Sequence, residues 1–435
     1  MLIGTLKGIM IATPAGQALR QRLTTAFAFA LTGSWVWLAA AAAPQDASPA
    51  RPPDGQPSGW SRVIEKGLDD PRVEIIDHLV EFHGQLYASG FQTTAGCRVW
   101  RSGDGTTWES VVGPGTATPQ GFGNPNNQSI NAFLVFQDYL YAGTWNEVNG
   151  AELWRTADGK NWEAVVGGGS AMAGGFGKLE NSGVTALSGF EGMLIAGTGS
   201  LYCKDGVELW LSRDAGSTWS GVAGERIALQ TSLARDAKYF LAMKVFQGML
   251  YLATGDQLQG GSEIWRTSDG WHWEPVVGAP SPYRAGMGNP AHDMIYELES
   301  YQDALYAAVL DYSRQGGALW RSSDGASWEV IVGSDRASYP PGFGVPGNIG
   351  IVSLEPYAGR LYAGTTNEEG AQLWVSRDGR RWQQVMGPDA RVPAGFGHPH
   401  NRAINALLEF RGRLYAGTHN PQDGAELWCV EALEE

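Results

Sequence analysis

Residues 212–219 read SRDAGSTW, and a version one residue shorter recurs as SGDGTTW at 102–108, TADGKNW at 156–162, TSDGWHW at 267–273, SSDGASW at 322–328 and SRDGRRW at 376–382. Every copy keeps Ser or Thr, then Asp, Gly and Trp in that order. An Asp side chain accepts hydrogen bonds from amides a few residues ahead of it, and the Gly that follows tolerates positive φ. That is the chemistry of a tight hairpin turn. The Trp at its exit brings a large apolar surface for burial. Repetition within one chain makes the motif a marker of architecture before it is a marker of chemistry.

A second ruler gives the period. Trp100, Trp154, Trp210, Trp265, Trp320, Trp374 and Trp428 are separated by 54 to 56 residues, and seven units of 54 span residues 58–435. One unit, 351–387, shows the anatomy: strand IVSLEPY, turn AGR, strand LYAGT, loop TNEEGA, strand QLWVS, turn RDGR and strand RWQQVMG. Alternating apolar and polar residues between Gly- and Asp-rich turns predict antiparallel strands. No stretch of the repeats sustains a helical period. The expected fold is therefore all-β, a seven-bladed β-propeller of four-stranded antiparallel blades. The last unit stops after its third strand, at AELWCVEALEE, whereas WSRVIEKG at 60–67 matches the fourth strand WEVIVG at 328–333. The N-terminal strand is predicted to complete the last blade, which removes the open sheet edges.

SRDAGSTW fits Ser-x-Asp-x-Gly-x-Thr-Trp at every fixed position, and so resembles the Asp-box (BNR) repeats of sialidase-like β-propellers; the resemblance covers the first six repeats. It implies the fold, with the box on hairpins remote from the sialidase active site. Asp104, Asp158, Asp214, Asp269, Asp324 and Asp378 are expected to hold turns, and Trp108, Trp162, Trp219, Trp273, Trp328 and Trp382 to wedge between blades. One carboxylate per hairpin cannot gather the six to eight oxygens that Ca²⁺ prefers, so no metal and no cofactor is assigned. Sialidases carry an Arg-Ile-Pro motif and three substrate-binding arginines. This chain has no Arg-Ile-Pro; Arg101, Arg155, Arg266 and Arg321 fill one repeat position on the Asp-box side, which leaves Arg314 and Arg402 on the other face.

That other face gathers two families of loops. The blade connections carry GFGNPNNQSI (121–130), GFGKLENSGV (175–184), GFGVPGNIGI (342–351) and GFGHPHNRAI (395–404), with Asn127, Asn181, Asn348 and Asn401 at one position and His292 in a weaker copy. These side chains either cap their own loops or form a polar ring at the channel mouth. The loops between second and third strands supply Asn146 and Glu147, Lys204 and Asp205, Asp256 and Gln257, Asp311 and Tyr312, Asn367 to Glu369, and His419, Asn420 and Asp423. They read as a solvated acidic rim or as a shallow site for sugar hydroxyls or a cation. The ligand-binding candidates are Asn146, Glu147, Asp256, Asp311, Asn367, Glu368 and Asn401; no catalytic residue is assigned. The expected function is non-catalytic binding of a glycan, small ligand or protein partner. The alternative is a glycoside hydrolase or lyase using loop carboxylates, as seven-bladed Asp-box xyloglucanases do.

Outside the repeats, Arg20 and Arg22 precede LTTAFAFALTGSWVWLAAAAA, and PQDASPARPPDGQPSG follows. Residues 1–43 read as a signal peptide or an uncleaved membrane anchor, and 44–57 as a Pro-rich linker. The expected product is secreted, periplasmic or at the cell surface, monomeric, with any membrane contact through that segment. A net charge of −14 argues against a nucleic-acid partner, which needs a basic face. Cys97, Cys203 and Cys429 form no metal-ligand spacing, and their odd number leaves at least one unpaired.

Overall fold

The computed structural model describes residues 59–200, 206–224, 237–255, 260–311, 313–334 and 336–431. Residues 56–435 belong to one compact unit; the segments read as signal or anchor (1–43) and as linker (44–57) lie wholly outside the described residues. Half of the chain is strand, in one antiparallel sheet that fits a β-propeller. In the unit used above, Gly350–Tyr357, Arg360–Thr366, Leu373–Ser376 and Trp382–Met386 pair in chain order. The third strand starts later than the alternation predicts. The Gln372 amide donates to the Thr365 hydroxyl at 2.9 Å instead of to a ladder carbonyl.

Neighbouring repeats are joined where one second strand ends and the next first strand begins: Trp145 pairs with Gly183, Gly199 with Tyr239, Leu310 with Gly350 and Thr366 with Ala403. The same bridge links Ile75 to His419, so the first repeat meets the last. The N-terminal strand Trp60–Ile64 pairs antiparallel with the C-terminal strand Leu427–Glu431. Trp60 sits edge-on to Phe396, 5.0 Å between ring centroids, where other repeats place the Trp of the turn motif.

The core consists of aromatic layers between repeats. The Phe of each GFG motif stacks on a repeat Trp: Phe122 on Trp154, Phe176 on Trp210, Phe343 on Trp374 and Phe396 on Trp428, with centroids 4.4 to 5.1 Å apart. Each of these Phe residues sits at positive φ, 54° to 61°, as Met287 does at the same place in the weaker copy, a conformation L residues adopt only at a cost. Every first strand also carries a β-bulge near its start, at Asn131, Thr185, Leu241, Val352 and Asn405 among others. A bulge re-aims side chains and sharpens twist, here toward the neighbouring first strand.

Candidate functional site

The turn motif is built locally. Asp104 Oδ1 accepts from the amides of Thr106 and Thr107 at 2.8 and 2.7 Å, and the Ser102 hydroxyl donates to it at 3.0 Å. Asp158, Asp269, Asp324 and Asp378 repeat the pattern. In Asp214 the extra residue, Ala215 at φ 55°, moves the amide donor to Thr218. The Thr107 and Thr106 amides hold the Asp104 carboxyl well below the usual range, as those of Ser327 and Ala326 do for Asp324. Partial burial opposes this in Asp158, Asp269 and Asp378, and the turn hydrogen bonds outweigh it. The motif Gly has a second reason to be Gly. A Cβ on Gly105 would lie 1.8 Å from the Tyr415 hydroxyl, on Gly159 1.8 Å from that of Tyr87, and on Gly379 1.7 Å from that of Tyr306. Each of these three hairpins thus seats a buried Tyr of the preceding repeat, and Gly105 on Tyr415 carries the interlock from the first repeat to the last.

The opposite face is organised by buried asparagines. Asn401 Nδ2 donates to Gly395 O at 2.9 Å and to Glu426 Oε2 at 2.7 Å, while its Oδ1 accepts from Asn420 Nδ2 at 3.0 Å. Asn127 makes the same bonds to Gly121 O, Glu152 and Asn146, and Asn348 to Gly342 O, Gln372 and Asn367. One side chain therefore fastens the GFG turn, the loop after the second strand and the residue two before the repeat Trp. In the weaker copy His292 takes the place, contacting Gly286 O through Nδ1; burial pushes its pKa down.

Above these nodes the side chains differ between repeats. In the second repeat Asn124 and Asn126 reach Asn149 Oδ1 at 3.4 and 3.2 Å. In the last repeat the corresponding positions are His398, His400 and Asp423, with His400 Nδ1 2.9 Å and His398 Nε2 3.6 Å from Asp423 Oδ2. Arg314 and Glu368 pair across two repeats at 2.7 Å. Val148 and Leu179, on the same face, are the most exposed large apolar side chains among the described residues, at 61% and 60%.

Along the ring of first strands lies a third set of groups. The Lys244 ammonium bonds Glu299 at 2.6 Å. Glu297 Oε2 accepts from the Leu354 amide at 2.7 Å, and Glu355 Oε1 from the Glu409 amide at 2.9 Å. Thr185 and Ser353 donate to Phe240 O and Ile404 O. These contacts satisfy backbone groups that inner strands, unpaired with one another, would leave open. Burial drives Glu297 far above the usual range, with Glu299 adding to the shift, and raises Glu355 to about 7. Burial likewise raises Glu74 to about 7 and Asp77 well up, and lowers His78 to about 4 and His419 to about 3. Cys97 and Cys429 are buried free thiols, both pushed up by burial.

The sequence candidates separate on this map. Asn146, Asn367 and Asn401 are buried in the asparagine nodes, and buried Asp311 takes the amides of Ser313 and Gln315. Their side chains hold loops. Glu368 is exposed and Glu147 half-buried, the latter accepting from the Trp145 indole at 3.2 Å. Asp256 lies outside the described residues, as do Lys204, Asp205, Gln257, Tyr312 and Cys203. Sequence reasoning did not single out Lys244, Glu297, Glu299 and Glu355; the signal was available as charges within the first strands of AMKVF, IYELESY and SLEPY. Nor did it group His398 and His400 with Asp423, which lies 23 residues beyond His400.

No protein-family model and no curated protein matches the chain. Among solved structures it is similar to a GH74 xyloglucanase from Xanthomonas campestris, with TM-score 0.49 and 18% identity over 84% of this chain and 54% of that one. It is also similar to a prolyl endopeptidase, with TM-score 0.45 and 11% identity over 83% of this chain and 51% of that one. A third likeness is to the polysaccharide lyase Uly1, with TM-score 0.44 and 10% identity over 82% of this chain and 89% of that one. The chain spans about half the length of the first two.

Proposed function

We propose that this chain is an exported, seven-bladed Asp-box propeller of four-stranded antiparallel blades. On its loop face it binds a glycan, a small polar ligand or a protein, without turning it over. The recurrent four-strand pairing and the pairing of the N-terminal with the C-terminal strand support the blade count. The observation that carries the binding reading is the contrast on the loop face between a recurrent frame and variable tips. Asparagine nodes at Asn127, Asn181, Asn348 and Asn401 fix four of the connections in the same way, and above them stand Asn124 with Asn149 in one repeat, His398 with Asp423 in another, and Arg314 with Glu368 between two more. Rigid loops bearing mixed polar groups, with exposed Val148 and Leu179 among them, suit recognition.

One observation favours an enzyme, a glycoside hydrolase or lyase. Glu355, raised to about 7, stands among Lys244, Glu297 and Glu299, and such a carboxyl can act as general acid or base near neutral pH. Against it, Glu355 and Glu297 are each spent on a neighbouring backbone amide. The two readings part in one experiment, in which the purified domain is run on a glycan array and against a panel of aryl glycosides and polysaccharides. Saturable binding without turnover, weakened a fewfold by Glu147→Ala or Glu368→Ala, is expected. Turnover abolished by Glu355→Gln would replace the binding reading with the enzyme.

A further inference from the structure

We propose that His398, His400 and Asp423 form a binding site for one divalent transition-metal ion of the zinc type on the loop face of the last repeat. The three side chains each present one ligand atom, and these atoms lie within 4.8 Å of one another. Zn²⁺ holds imidazole nitrogen and carboxylate oxygen at about 2.0–2.2 Å, which sets tetrahedral ligand atoms roughly 3.3 Å apart. The separations of 2.9 Å from His400 Nδ1 and 3.6 Å from His398 Nε2 to Asp423 Oδ2 bracket that value. Two imidazoles and one carboxylate are borderline donors that suit zinc and its neighbours better than Ca²⁺ or Mg²⁺. All three side chains are partly open to solvent, so the ion can enter and would keep coordination positions for water or an external ligand.

The frame around the site is already fixed. His398 follows the turn anchored by Phe396 on Trp428, and its extended backbone, φ −120° and ψ 105°, suits a residue that precedes proline. Asp423 is set by Asn420, whose Oδ1 accepts the Asp423 amide at 2.9 Å. The two segments are tied by the buried Asn420 to Asn401 hydrogen bond of 3.0 Å. Asn401 and Asn420 are thus positioning residues for the site. The second repeat supplies the internal control. On the same frame it gathers Asn124, Asn126 and Asn149, so the fold brings these three positions together whatever occupies them. In the last repeat all three are metal-ligating types. Ligation through His398 Nε2 shifts the ring proton to Nδ1, so the 3.3 Å contact from the His400 amide to that nitrogen is given up, and the hydrogen bond between His400 Nδ1 and Asp423 Oδ2 is replaced by ligation of both atoms.

The test is zinc titration of the tag-free, EDTA-treated full domain by calorimetry, with Co²⁺ visible absorption as a second readout. Wild type should bind one equivalent. His398→Ala, His400→Ala and Asp423→Ala should each weaken binding at least tenfold, and the triple variant should lose it and the associated rise in melting temperature. Circular dichroism and melting in EDTA show that the variants are folded. Absence of saturable binding by wild type, or equal binding by the folded triple variant, overturns the site. The inference does not depend on the glycan reading: zinc binding with no glycan binding leaves the metal site standing and removes only the other.

Discussion

The carboxylates of the turn motif and those of the inner strands are the same chemical group under opposite treatment. Asp324 sits at the rim, exposed, with the amides of Ser327 and Ala326 at 2.6 and 2.8 Å. Glu355 sits in the ring of first strands with one amide, that of Glu409, and little water. Donors hold the first ionised, and burial favours the proton on the second. Distance in sequence differs as well. Asp324 meets its partners two and three residues on, while Glu355 and Glu297 meet theirs 54 and 57 residues away, in the next repeat. Local contacts build each hairpin, and long-range contacts hold the ring together.

The long-range set should dominate stability. Deleting residues 58–67 removes the Trp60–Ile64 strand from its pairing with Leu427–Glu431 and the Trp60 ring from Phe396. It exposes a sheet edge and a buried aromatic layer together. We expect the melting temperature to fall by 10 °C or more, or the domain not to fold, as read by calorimetry. A shift of a degree or two would show that the ring does not depend on its closing strand.

Gly379→Ala probes where the local motif meets the long-range one. The new Cβ would stand 1.7 Å from the Tyr306 hydroxyl at a backbone φ of 67°. Overpacking and left-handed strain together should cost about 2–4 kcal/mol by urea denaturation. Gly103→Ala is the control, because a Cβ there meets nothing within 4 Å, and it should change stability by less than about 0.5 kcal/mol. Equal effects would mean that the hairpins do not dock on the tyrosines.

The pH dependence separates the two carboxylate sets. Glu355, at about 7 when folded against an ordinary 4.5, favours the native state fully below about pH 4.5 and loses that contribution as pH rises through 7. Glu74, Asp77 and Glu297 act in the same sense. His78 and His419, lowered to about 4 and 3 by burial, act oppositely but only below their ordinary 6.5, so the interval from pH 6.5 to 8.5 isolates the carboxylates. Glu355→Gln keeps an oxygen for the Glu409 amide and cannot ionise beside Glu299. It should match wild type near pH 5 and be more stable by up to about 2 kcal/mol at pH 8.5. A pH-independent difference between the two proteins would place Glu355 in contact with bulk water.

Locality also explains how much could be read in advance. The strands and the pairing of the N-terminal with the C-terminal strand follow from alternation and turn residues within one repeat, and the observed pairings fit them. The turn aspartates were legible for the same reason. The role of Asn401 was not, because its partners Glu426 and Asn420 come from the far side of a hairpin. Nor was that of Lys244, whose partner Glu299 is 55 residues away. His398, His400 and Asp423 needed the fold to bring two loops together. Architecture repeats and so shows in one sequence, whereas site chemistry occurs once and rests on contacts between repeats.

The smallest expected effect lies with the rim. Asp324→Ala removes two amide contacts and the Ser322 hydroxyl bond from an exposed turn. Solvent replaces part of what is lost, so the cost at pH 7 should be about 1 kcal/mol. Its pH signature should mirror that of Glu355. A carboxyl held below its ordinary 3.8 contributes stability that is present above that value and is lost as pH falls toward the folded value. The gap between wild type and Asp324→Ala, measured by urea denaturation, should therefore narrow between pH 5 and pH 3, while the Glu355→Gln gap opens as pH rises from about 4.5 through 7. Ligand binding should be unchanged in Asp324→Ala, since the turn faces away from the loop face. A gap that stays constant on acidification would mean that the turn amides do not hold Asp324 in its ionised form, and the contrast between rim and ring would fail at its simplest point.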